Sequence, residues 1–347
     1  MGLARGHRCK LRTILRYQVT HQIIFTDLDH FCYDGLMSTF SPSYLALHKK
    51  GLLSKRARQA RLHEHSCDLC GRYCRVDRRN TLGGCHTGTR ARVASFGPHH
   101  GEEDPLRGRR GSGTIFISRC NLRCKYCQNA DISQADTGRG VSSQEFAEMM
   151  LKLQTTGCHN INIVSPTHII PEFLEALDLA VDEGLSLPVV YNTGGYDSPE
   201  ALALLDGVID IYMPDMKYAC DKYGKRYSNV PNYPQVNQAA VREMHRQVGD
   251  LKLDENGIAQ RGLLVRHLVL PEGIAGTKEI VEFLANEISK DTYLNLMDQY
   301  RPAYKAREYP PLDRPLQSPE YAQAVEWALE AGLHRLDDRR SRVLFSI

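Results

Sequence analysis

Seven of the eleven cysteines in this 347-residue chain fall between Cys67 and Cys127, in two groups with short internal spacings. The second group reads Cys120-Asn-Leu-Arg-Cys124-Lys-Tyr-Cys127, a C-x3-C-x2-C run. Thiolates select soft metals, and a [4Fe–4S] cube ordinarily takes four of them. Three close thiolates therefore leave one iron without a protein ligand. That iron can accept an amine and a carboxylate from a bound molecule. A zinc knuckle is the competing chemistry, but zinc takes four N or S ligands and no nearby Cys completes the triplet. His99 and His100, upstream, are the residues that can stand in for it.

The first group, Cys67-x2-Cys70-x3-Cys74-x10-Cys85, supplies four thiols, enough to complete a site. Cys67-Asp-Leu-Cys70-Gly resembles a zinc knuckle, in which Gly lets backbone N–H groups turn toward sulfur. Iron–sulfur ligation uses equally short spacings, so zinc, a second cluster and ordinary thiols all stay open here. Zinc would staple a module with little core of its own, whereas a cluster would relay electrons. Cys9, Cys32, Cys158 and Cys220 stand alone and are expected to be buried or free thiols.

These cysteines need elements to hold them. Residues 114–118 (TIFIS) form a β-rich run leading directly into Cys120. Further strands are predicted over 160–164, 187–191, 208–213, 262–270 and 292–297. Helices are predicted over 142–156, 171–183, 199–205, 236–248, 278–288 and 319–331, where apolar residues such as Phe146, Met149, Met150 and Leu153 recur at helical spacing. Six strand–helix units in series predict an α/β fold, a partial (β/α)6 barrel with a parallel sheet inside its helices. Such folds carry their chemistry on loops after the C-terminal strand ends, where Cys120 falls. The barrel is placed at 111–347, a small irregular Cys-rich basic module at 41–110, and a poorly ordered extension at 1–40. After GEEDP (101–105), the glycine-rich 108–113 precedes a strand, so it is expected to position the chain and not to cradle phosphate.

Longer strings then carry a resemblance. GSGTIFISRCNLRCKYCQN, INIVSPTH, YNTGGYD, DIYMPDMKY, VRHLVLP and NLMDQY look like the pyruvate formate-lyase activating enzyme-like radical S-adenosylmethionine (SAM) proteins, over roughly residues 41–333. The resemblance implies a [4Fe–4S] cluster on Cys120, Cys124 and Cys127, with SAM on the open iron. Reductive cleavage of SAM would give a 5′-deoxyadenosyl radical that takes hydrogen from a substrate, in activating enzymes a glycine of a protein partner. It also implies that Tyr126 lies against adenine and that Asp215 and Lys217 contact SAM. Asn192 and Thr193 would approach SAM or a monovalent cation, and Arg266 would lie near SAM, with His267 turned into the core. Two departures stand out. SPTH (165–168) replaces the Gly-Gly-Glu that relatives use for the SAM amine, leaving a backbone carbonyl, Thr167 or His168 to act. The His that activating enzymes supply after the sixth strand is absent, and Gln299 and Tyr300 occupy the region.

The same chemistry on RNA or a small molecule is the alternative substrate class. A non-catalytic iron–sulfur or zinc protein, in electron transfer or nucleic-acid binding, is the alternative outside catalysis. Hydrogen abstraction needs no acid–base pair, and no His/Asp dyad is evident. Between Lys49 and Arg92, twelve Lys/Arg accompany three Asp/Glu. Without interleaved aromatics this stretch suits an acidic electron donor such as flavodoxin or ferredoxin better than nucleic acid. The composition, 42% hydrophobic and 24% charged with net charge +3, is that of a globular protein, and no run of 18 apolar residues spans a membrane. Clustered free cysteines without a secretory signal point to the reducing cytoplasm. The basic stretch from Arg5 to Arg16 loosely resembles a transit peptide, but an extension outside the working fold is the simpler expectation.

Overall fold

The apolar runs pair side by side, nearly all in one direction. The computed structural model describes residues 40–337, so the expectations for the N-terminal extension lie outside the described residues. Nine strands form one sheet: β1 (Arg92–His99), β2 (Ser112–Ile117), β3 (Arg139–Gly140), β4 (Ile161–Val164), β5 (Val189–Thr193), β6 (Ile211–Pro214), β7 (Lys252–Leu253), β8 (Ala259–Leu268) and β9 (Tyr293–Met297). Parallel pairing runs β2-β4-β5-β6-β8-β9, the six strands read from the sequence. Alternate residues face opposite sides of a pleated strand. Ile161, Ile163, Val189, Tyr191, Leu263 and Val265 thus join the core beneath the helices. Val190, Ile211, Met213 and Leu264 form a second apolar cluster with Leu106 and Leu251. Burial on both faces is why these strands read as continuous apolar runs.

The helices are α1 (Ser43–Lys49), α2 (Leu52–Leu62), α3 (Asp104–Arg107), α4 (Ala130–Ser133), α5 (Ser143–Thr156), α6 (Ile170–Asp182), α7 (Pro199–Leu205), α8 (Asp221–Ser228), α9 (Tyr233–Val248), α10 (Thr277–Phe283) and α11 (Ser318–Glu330). The α5 helix starts where its sequence says it should. Ser142 accepts from the Glu145 N–H, Glu145 returns the bond, and Gly157 ends the helix at φ 90°. Its buried face is Phe146, Ala147, Met149, Met150 and Leu153. A π turn over Leu284–Ile288 continues α10.

The structure revises the N-terminal module. The long irregular stretch is residues 63–91, with short turns at 100–103 and 108–110. Before them α1 and α2 pack on α6, and after them β1 pairs antiparallel with β2, extending the sheet. All described residues fall in one compact unit. None of the described helices is long and apolar enough to cross a membrane.

Candidate active site

The C-terminal ends of all six parallel strands converge on one cavity of about 380 Å3, within the roughly 300–1,000 Å3 range of small-molecule sites. Phe116 and Ile117 come from β2, Ser165 follows β4, and Asn192 and Thr193 end β5. Asp215 and Lys217 follow β6, Arg266 and Leu268 end β8, and Met297 and Gln299 mark the end of β9. The loop after β2 adds Cys120, Cys124, Tyr126 and Cys127. Two non-glycine residues with left-handed backbone, Arg119 (φ 69°) and Ser165 (φ 59°), turn the chain out of β2 and β4 at this rim. Such conformations are costly and collect at functional sites.

Local contacts prepare the three sulfurs for metal. The Leu122 N–H donates to Cys120 Sγ at 3.4 Å. Ser228 Oγ lies 3.0 Å from Cys124 Sγ, and Ser133 Oγ lies 3.2 Å from Cys127 Sγ. Cys120 and Cys124 are buried, and burial raises both thiols, Cys124 to about 12, although Lys217 pulls the other way. A thiol so placed ionises only when a cation takes the charge, which is what an iron–sulfur cluster supplies. The triplet thus fits a [4Fe–4S] cluster, which Cys120, Cys124 and Cys127 would hold by three of its four irons.

The charges opposite the cysteines form a connected set. Lys217 Nζ lies 2.6 Å from Asp215 Oδ2, and burial, which opposes its charge, is outweighed by Asp215 so that the ammonium is held firmly charged. Asp215 bridges in register to Arg266, whose Nε is 3.8 Å from Asp215 Oδ1. Arg266 also faces Glu102 (3.7 Å) and Glu103 (3.5 Å), and Asn295 Nδ2 donates to Glu103 at 2.5 Å. From behind, α9 holds the β6 loop. Tyr233 Oη donates among the Gly194 and Asp215 carbonyls and accepts from the Lys217 N–H, and Asn237 Nδ2 reaches the Gly195 and Asp215 carbonyls.

The other residues singled out in the sequence divide. Tyr126 lines the cavity, packed edge-on to Tyr218 and Tyr300 at 6.4 and 6.0 Å. Asn192 and Thr193 line it as well, with Thr193 Oγ1 donating to Asp197 at 2.8 Å. Of the pair where the sixth-strand His was missing, Gln299 lines the cavity and Tyr300 is buried, donating to the Leu312 carbonyl. Thr167 and His168 do not take the place of Gly-Gly-Glu. The positive φ at Ser165 turns both inward, where Thr167 bonds Asp197 and His168 Nε2 bonds the Ser118 carbonyl, and burial drops the imidazole to about 3. His267 is a core histidine, between the Met216 carbonyl and Thr277 Oγ1.

Sequence reasoning missed the contribution of β1 and its following turn. GEEDP is part of the site wall, with Glu102 lining the cavity beside His99. His99 Nδ1 lies 3.2 Å from Glu102 Oε1, so an imidazole–carboxylate dyad is present where none was evident. The acidic pair was the available signal, but nothing local ties it to Arg266.

Comparison with known proteins agrees with this geometry. The family model of the radical SAM superfamily matches residues 114–258. The uncharacterized protein MJ0674 of Methanocaldococcus jannaschii is 31% identical over 300 residues, 84% of this chain and 82% of that one. A second uncharacterized protein of that organism, MJ0808, is 24% identical over 77% of this chain and 78% of its own length. Among solved structures, a radical SAM methyltransferase from Sphaerobacter thermophilus aligns with a TM-score of 0.42 and 14% identity, over 63% of this chain and 64% of that chain. The cysteine loop, the six strand ends around it and the family match agree: the chain belongs to the radical SAM superfamily of enzymes.

Proposed function

We propose that this enzyme cleaves SAM reductively at a [4Fe–4S] cluster on Cys120, Cys124 and Cys127 and takes hydrogen from a glycine of a protein partner. One observation carries the first half: three thiols, two of them buried, and a charged Lys217–Asp215 pair line the same cavity. A cluster bound there supplies the electron and the open iron for breaking the SAM carbon–sulfur bond, which frees a 5′-deoxyadenosyl radical. The chain's own residues bind and orient. Lys217 offers an ammonium to the SAM carboxylate, and Asp215 and Glu102 offer acceptors to its amine and ribose hydroxyls. Tyr126 provides an aromatic edge for adenine. Leu122, Leu268, Phe116 and Ile132 line the same cavity and keep water from the radical.

The protein-glycine half is supported by the YNTGGYD, PDMK and VRHLVLP strings, which resemble activating enzymes. An acidic flavodoxin or ferredoxin in a reducing cytoplasm would serve as electron donor, with exposed Lys49, Lys55, Arg58, Arg75 and Arg79 to receive it. The His99–Glu102 dyad favours a second reading, a small-molecule substrate whose radical also exchanges a proton. The Glu102 carboxylate, accepting from the imidazole N–H, raises the His99 pKa above its ordinary value, as suits a group that gives and takes a proton.

The test is anaerobic. Reconstituted protein with dithionite and SAM is expected to release 5′-deoxyadenosine, and Cys124→Ala is expected to release none. A full cluster complement without SAM turnover in the wild type would return the chain to electron transfer. Deuterium passing from a glycine-labelled protein partner into 5′-deoxyadenosine supports the activating role; deuterium from a small molecule or RNA overturns it.

A further inference from the structure

The first cysteine group takes no part in the chemistry above, yet its four thiols come together. Cys67, Cys70, Cys74 and Cys85 line one small enclosed cavity with Arg72, Arg78 and His168. They arrive on the irregular residues 63–91, and the backbone there is folded toward sulfur. The N–H groups of Leu69 and Arg72 bond Cys67 and Cys70, and the Gly84 N–H donates to Cys74 Sγ at 3.4 Å. Donors of this kind stabilise thiolate ligands and tune the metal they hold.

Arg78 is an independent pointer. Its side chain is 1% exposed. Its Nη2 donates to the carbonyls of Gly88 and His168, but Nε and Nη1 have no hydrogen-bond partner. Arg72 Nη2 is buried and unpartnered too. Leaving a buried donor unsatisfied costs about 1–3 kcal/mol, more when the group is charged. What these guanidinium groups lack is an anionic acceptor on the side of the thiols. Sulfides and thiolates of a cluster are such acceptors, and the buried Arg78 with the half-buried Arg72 offsets the negative charge of a four-thiolate centre.

Four thiolates suit zinc and a cluster alike. What favours a cluster is the place of the group, tied to the loop of the other three cysteines, where a centre that carries electrons has a use.

We propose that Cys67, Cys70, Cys74 and Cys85 ligate a second [4Fe–4S] cluster, fully coordinated by protein and set against the loop of the first. The two loops are tied directly. Arg72 Nε donates to the Asn121 carbonyl at 2.6 Å, and Arg123 Nη2 donates to the Gly84 carbonyl at 3.1 Å. The Tyr196 carbonyl accepts from both the Gly71 N–H and Asn121 Nδ2, at 3.2 Å each. This inference rests on the geometry of the four thiols and not on the cleavage of SAM.

Its test therefore reads metal and not turnover. The full chain carrying Cys120→Ala, Cys124→Ala and Cys127→Ala together is reconstituted anaerobically with ferrous iron and sulfide. The expected result is about four iron and four acid-labile sulfide per chain, with a paramagnetic signal on dithionite reduction that SAM leaves unchanged because no iron is open. One zinc per chain, iron without sulfide, or no metal overturns the proposal. Should the triple variant precipitate, the wild type answers instead. About eight iron per chain supports two clusters, and a saturated value of about four overturns the second.

Discussion

At Lys217 two effects oppose each other: burial disfavours the ammonium, and Asp215 at 2.6 Å favours it. The ion pair prevails, so a permanent positive charge faces the cysteine loop. Charge-assisted hydrogen bonds contribute about 1.5–3 kcal/mol, so Lys217→Ala is expected to raise the KM for SAM roughly tenfold to hundredfold, with Lys217→Arg recovering part. An unchanged KM in 5′-deoxyadenosine release would remove Lys217 from SAM binding. The place of this residue was legible because PDMK closes a predicted strand and resembles the Asp-x-Lys of activating enzymes, a local pattern. Glu102, Glu103 and His99 were not. Glu102 and Glu103 meet Arg266, with His99 beside Glu102, only because β1 folds back antiparallel on β2, and a contact between residues so distant in sequence leaves no spacing to read. His168 was misplaced for a similar reason: the left-handed Ser165 decides where the following turn points, and Ser carries no such signal.

At the scale of elements, the turn after β5 shows how close packing holds the site. Gly195 has φ 69°, and a Cβ there would meet the Asp215 carbonyl and the Asn237 amide, the groups that fix the β6 loop. Gly195→Ala is expected to cost about 1–3 kcal/mol. Both a lower Tm and weaker SAM binding should appear, since Asp215 must shift with its carbonyl. A variant that keeps wild-type Tm and SAM affinity would show that the turn relaxes elsewhere. The parallel strands were legible as continuous apolar runs, and the long helices from α5 onward by their helical apolar periodicity. The α8 helix was not, since DKYGKRYS has no apolar stripe and a central Gly. Tertiary contacts make it a helix: its Tyr227 and Ser228 carbonyls accept the N–H groups of Lys125 and Arg123, and Ser228 faces Cys124.

For the molecule as a whole, the question is what joins the first cysteine group and its helices to the barrel. The tie is a charge cluster between α2 and α6, buried at Glu64, Glu172 and Arg78 and half-buried at Arg61 and Glu175. Arg61 pairs with Glu175 at 2.5 Å, Glu64 at 2.8 Å and Glu172 at 3.4 Å, while Arg78 reaches Glu172 from 3.7 Å. Glu172 is 3% exposed and neither of its oxygens has a hydrogen bond. Burial pushes its carboxyl up to about 7, with Arg78 and Arg61 limiting the rise. Removing one partner of a buried pair costs about 3–5 kcal/mol because the other charge stays behind. Since Arg78 remains, Arg61→Met belongs at the lower end, about 3 kcal/mol near pH 8. The sign of the pH dependence follows from the raised pKa. A folded value above the unfolded one means that the fold prefers the protonated acid, so stability is retained at low pH and lost as pH rises through 7. Below that point Glu172 is neutral and no longer needs Arg61. The Tm deficit of Arg61→Met should therefore be larger at pH 8.5 than at pH 5.5, and a deficit independent of pH would mean that the α2–α6 contact is held by apolar packing instead.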